Sequence, residues 1–167
     1  MRQRRGVEVL SLEDAYSSYA DELVRYATVL VSADAAADVV ADTFADLLRR
    51  PDRGWAGARD PRAFLFGAVA NRARMHHRSS GRRRHHEQRV VSLATANAGP
   101  GIDGDPDASD DMLGALDALS VQQRAVIYLT YWHDLSVDQV ADALDVGDGT
   151  VRRQLARARA RLRGALT

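Results

Sequence analysis

The chain has 167 residues, no cysteine, and 23 arginines balanced by 23 acids with no lysine, so its formal net charge is zero. Without cysteine there is no disulfide scaffold, no thiolate nucleophile and no cysteine-ligated metal. The longest apolar run, Ala63–Ala70, falls far short of the roughly 20 residues of a membrane span, and no apolar stretch follows the N-terminal arginines as a secretory signal requires. The expected location is cytoplasmic, with no membrane partner.

Residues 1–9 read as an N-terminal extension. Leu12, Tyr16, Tyr19, Leu23, Tyr26 and Leu30 then recur at steps of three and four, the spacing of one helix face. A second helix is predicted from about Asp34 to Arg50, with Ala37, Val40, Ala41, Phe44, Leu47 and Leu48 inward. Asp38, Asp42 and Asp46 line its other face at i, i+4 spacing. Pro51, Gly54 and Gly57 break the chain around Trp55. Asp60 and Pro61 are a helix-start pair, and a third helix is predicted to run to about Ser79, apolar first and basic later.

Asn71, Arg72, Arg74, His77 and Arg78 follow Trp55, Phe64 and Phe66. Arginine beside aromatic rings suits single-stranded DNA, whose backbone and bases need those two groups. At least one of the two phenylalanines is a core residue. The pairs His76-His77 and His85-His86 do not suggest a metal, because neighbours on a helix point about 100° apart. No cofactor and no catalytic constellation is expected.

Residues 90–111 are rich in Gly, Pro, Asp, Ala and Ser with no helical or strand period, and read as a flexible acidic linker. Residues 112–167 are helical again. Ser120 with Gln123, and Ser136 with Gln139, each have the spacing of a capping box. The second opens a short helix with Val137, Val140, Ala141 and Leu144 on one face. Asp145-Val146-Gly147 is a tight turn, and a last helix starts near Asp148 with Val151, Leu155, Ala158 and Leu162 inward. Short helix, turn and longer helix is the spacing of a helix-turn-helix. The expected fold is therefore all-α: two small helical domains, 10–89 and 112–167, joined by the linker.

The neutral total hides a strong segregation. Residues 51–89 carry 10 Arg against 3 acids, residues 90–149 one Arg against 11 Asp, and residues 150–167 six Arg and no acid. Arginine forks fit phosphates and guanine edges. On the last helix, Thr150, Arg152, Arg153 and Gln154 are expected nearest base edges, with Arg157 and Arg159 on phosphates.

From Leu116 to Leu166 the sequence resembles region 4 of the extracytoplasmic-function (ECF) sigma factors of bacterial RNA polymerase. The most specific parts are Leu119–Arg124, Leu135-Ser136, Gly149-Thr150-Val151 and Arg157-Ala158-Arg159. Residues 10–89 resemble region 2. Ala37-Asp38 with Asp42-Thr43-Phe44 is similar to the polymerase-docking motif, and Asp60–Leu65 with Ala70-Asn71 and His77-Arg78 to the promoter-melting helix. Departures include Ala41 for the family's Gln, Phe64 for Trp, Met75 for an acid and Asp145 for the turn Gly. With the lysine-free usage of a GC-rich genome, the resemblance implies an actinobacterial member.

It also implies function. Core RNA polymerase would be bound through its β′ clamp helices by Asp38, Ala41, Asp42, Phe44 and Asp46, and through its β flap. The last helix would read the −35 promoter duplex. Trp55, Arg62, Phe64, Asn71, Arg74, His77 and Arg78 would hold the melted −10 strand. The linker would follow the RNA exit path, and an anti-sigma factor is a further implied partner. The competing expectation is a sigma-like or helix-turn-helix regulator without promoter opening.

Overall fold

The structure, a computed structural model, describes residues 10–50, 55, 58–90, 116 and 118–165, with backbone alone over 81–90 and at 165. Among them are six helices and no strand, the all-α class expected. The extension 1–9, the linker beyond Val90 and residues 112 and 113 lie outside the described residues.

Helix α1 (Leu12–Leu30) starts where the Ser11 hydroxyl accepts the Asp14 N–H at 3.0 Å. Its inward face is Ala15, Leu23, Tyr26, Ala27 and Leu30, while Tyr16 is exposed and meets Phe44 edge-on. Helix α2 (Ala33–Arg49) is turned relative to expectation: Ala36, Val39 and Thr43 go inward, Ala37, Ala41 and Leu48 outward. Burying valine removes more apolar surface from water than burying alanine. Thr43 tolerates burial because its hydroxyl donates to the Val39 carbonyl at 2.7 Å.

Helix α3 (Pro61–Val90) is capped by the Asp60 carboxylate, which accepts the Ala63 N–H at 3.0 Å. It runs past the expected end near Ser79 to Val90. The one breaker on the way, Gly81, costs a helix about 1 kcal/mol, and the arginines around it are good helix formers.

The second half holds α4 (Val121–Tyr131), α5 (Val137–Leu144) and α6 (Asp148–Ala165). Both capping boxes form: Ser120 with Gln123 at 3.3 and 3.1 Å, Ser136 with Gln139 at 3.3 and 2.9 Å. Gln123 is buried and also accepts from Arg161 Nη1 at 3.0 Å, tying α6 to the start of α4.

The described residues of the two halves pack on one another. Tyr26 of α1 lies between Phe66 of α3 and Tyr128 of α4, each ring centroid 4.9 Å away. Burying an aromatic or leucine side chain in this way contributes about 1.5–3 kcal/mol. α3 and α5 approach so closely that a Cβ on Gly67 would stand 1.6 Å from the Ala143 carbonyl oxygen. Only glycine fits at that contact.

Candidate nucleic-acid interface

The turn before α6 is built as its sequence suggests. Asp145 adopts the left-handed conformation at φ 52, and the Val146 N–H returns to the Ala141 carbonyl at 3.0 Å. This closes α5 and aims α6 across it. Val151, Leu155 and Ala158 of α6 are buried, so the helix has one fixed orientation. Arg152, Arg153, Arg157 and Arg159 are exposed, and Thr150 and Gln154 half-buried.

The outward arginines are not equivalent. Arg153 Nη2 donates to the Thr150 hydroxyl at 3.2 Å, which lays the guanidinium over the first turn. Arg159 turns away: its Nε donates to the Tyr131 hydroxyl at 2.8 Å and its guanidinium lies 5.7 Å from that ring's centre. Tyr131 and Trp132 were not singled out by the sequence, though two adjacent aromatics ending an amphipathic helix are a signal. They are 51% and 60% exposed. With Ile127, Leu162, Arg159 and Arg163 they line a groove of about 330 Å³. Trp132 stacks on Tyr128, the planes 4° apart and the centroids 5.6 Å.

The residues expected on the melted strand are scattered in state. Asn71, His77 and Arg78 are exposed on α3. His77 Nε2 donates to the Leu30 carbonyl at 3.0 Å. Trp55 is not offered to solvent: it is 8% exposed, and its ring lies 6.0 Å from Phe64, itself half-buried. Two of the three arginines expected there, Arg74 and Arg62, are engaged. Arg74 donates to Gln122 Oε1 at 2.7 Å and to the Asn71 side chain. Arg62 donates to both Glu22 oxygens, at 3.0 Å from Nε, and its Nη2 lies 2.8 Å from His133 Nδ1.

That cluster shifts its members. Hydrogen bonds from Arg62 hold the Glu22 carboxyl below the usual range, against burial, and Glu22 in turn raises Arg62. Burial first, and the Arg62 charge second, push His133 below the ordinary histidine value. Its Nδ1 accepts from Arg62, which leaves the proton on Nε2, buried with no partner.

On α2, Asp38, Ala41 and Asp42 are exposed together. Phe44, which the resemblance groups with them, is 5% exposed and lies in the core, as its place on the inward stripe predicts. Leu48, 64% exposed, is the apolar residue that face does present. Asp46 sits 3.8 Å from Arg72 and 3.9 Å from Arg50. Among the described residues no three His, Asp or Glu come together as a metal site. No described helix is long and apolar enough to cross a membrane.

Comparison with known proteins identifies this arrangement. A family model described as Sigma-70, region 4 matches residues 109–162, spanning α4, α5 and most of α6. Over 157 residues the chain is 34% identical to the ECF RNA polymerase sigma factor SigL of Mycobacterium tuberculosis, covering 90% of this chain and 85% of that one. The chain belongs to the ECF sigma factors.

Other likenesses agree with a sigma factor throughout. The RNA polymerase sigma-E factor of Streptomyces avermitilis is 31% identical over 162 residues, 95% of this chain and 87% of the relative. The fold matches a chain from the co-crystal structure of the sigma factor RpoE with the anti-sigma factor NepR from Bartonella quintana. That match has a TM-score of 0.68 and 27% identity, covering 92% of this chain and 95% of the other. As an ECF sigma factor the chain is a promoter-specific initiation factor of RNA polymerase, which disfavours an unrelated helix-turn-helix regulator.

Proposed function

We propose that this sigma factor, bound to core RNA polymerase, reads the −35 duplex with α6 and holds the melted −10 strand on α3. The observation that carries the proposal is the two-sided character of α6: Val151, Leu155 and Ala158 buried, Arg152, Arg153 and Arg157 exposed opposite them. A helix aimed outward by a tight turn enters the major groove with its first turns. Thr150, Arg152, Arg153 and Gln154 then meet base edges, while Arg157 and Arg159 hold phosphates.

On α3, Asn71, His77 and Arg78 are exposed for a single strand, and Arg62 and Arg74 supply its phosphate contacts. Trp55 and Phe64, packed together, form the wall beneath. The acidic face of α2, Asp38, Ala41 and Asp42 with Leu48 beside them, suits the β′ clamp helices, with Phe44 backing it from the core. The groove bordered by Tyr131, Trp132 and Leu162 suits an apolar element of the β flap. Residues 10–89 thus act as region 2. An anti-sigma factor, as NepR is for the Bartonella quintana protein, is a further partner, and the work belongs in the cytoplasm. The mechanism calls on no cofactor and makes no covalent bond.

Footprinting of holoenzyme on genomic promoter fragments, with run-off transcription, tests the assignment. Arg153→Ala is expected to cost about 1–3 kcal/mol of −35 discrimination while leaving start-site position unchanged. An unaltered base preference would remove Arg153 from the reading surface.

A further inference from the structure

We infer that the free sigma factor docks its own second half on the −10 face of α3, so that the melted strand and α4–α5 compete for one surface. The inference rests on the assignment of α3 to the −10 strand proposed above. Three contacts carry it. Gly67, midway along the apolar part of α3, touches the α5 backbone with no room for a methyl group. Arg74 spends a hydrogen bond on Gln122 of α4, and the crevice it borders with Ala70 and Asn71 is closed by Val121 and Leu144. His133 of the second half lies 2.8 Å from the guanidinium of Arg62, which Glu22 of its own half also holds, and Arg124 of α4 reaches across to the Val29 carbonyl at 3.2 Å.

A single strand running along α3 needs the Arg74 guanidinium and the space above Gly67. It cannot have them while the halves are together. The α6 face is different, since Arg152, Arg153 and Arg157 are exposed in this closed arrangement. The closed chain is therefore open to duplex and shut to single strand. Strand affinity is lowered by the fraction of molecules that are closed, a tax that any partner separating the halves removes.

Gly67→Ala tests this in the full chain. Alanine is the better helix former, so α3 persists, but the closed contact is blocked. Binding of a −10 non-template oligonucleotide, without polymerase, is expected to tighten at least tenfold, with −35 duplex affinity constant within about twofold. The hydrodynamic radius is expected to grow. Gln122→Ala, which only releases Arg74, should shift strand affinity the same way by about threefold. An unchanged radius in Gly67→Ala would overturn the closure, and a larger radius with unchanged strand affinity would overturn the competition. Failure of the α3 assignment reads differently: holoenzyme with Asn71 and His77 replaced by alanine would keep its −10 preference. That result takes the inference with it.

Discussion

Arg62 is the residue whose surroundings the sequence conceals most completely. Its partners stand 40 and 71 positions away, at Glu22 and His133, and no local pattern links them. Trp55 is concealed for the same reason: an aromatic in a glycine-rich loop reads as exposed until the core it fills is known. The cluster has a pH consequence. His133 is faced by Arg62 and Glu22, with Arg25 and Tyr128 bordering them. Its pKa in the folded chain lies below the unfolded value of 6.5, so the unfolded state binds the extra proton first. Stability is complete above that value and falls as pH drops below it. Glu22, also depressed, adds its loss only in the acid range near and below the ordinary carboxylate value. The melting temperature is expected to fall between pH 7.5 and 5.5, and His133→Gln to flatten that interval. Equal slopes in both proteins would exclude His133 as the titrating group.

Helices were the most legible scale. Capping boxes at Ser120 and Ser136, the left-handed Asp145 and the Asp60-Pro61 start all follow from side chains that bond their own backbone within a few residues. Local chemistry of that kind survives folding unchanged. Rotation about a helix axis does not, because it depends on what the helix meets. α2 accordingly turned by enough to exchange Ala37 and Ala41 for Ala36 and Thr43. The Ser136 cap is the more consequential of the two boxes, since α5 has only eight residues and sets the angle of α6. Ser136→Ala is expected to cost about 1 kcal/mol in urea denaturation. A matching loss of −35 affinity, larger than that of a surface alanine control, should accompany it.

For the molecule as a whole, zero net charge says little about DNA. Screening removes interactions beyond about 10 Å at 0.1 M salt, so acids elsewhere in the chain do not cancel the arginines of α6. Duplex affinity is therefore expected to fall with salt, with a log–log slope of about −2 from Arg157 and Arg159 on phosphates. A slope near zero would place duplex binding elsewhere. The packing of one half on the other was not legible, because Gly67 and Ala143 announce nothing until two helices meet there.

Two tryptophans complete the chain, and their settings are opposite. Trp55 is enclosed within the first half; Trp132 lies in the open against Tyr128, whose other side rests on Tyr26 of α1. The molecule thus carries two intrinsic emitters, one shielded and one whose ring partner belongs to the seam between the halves. Separation of the halves strips Tyr128 of its far neighbour and changes what quenches Trp132, while Trp55 serves as the internal standard. The opening of this protein writes itself in its own fluorescence, with no dye attached.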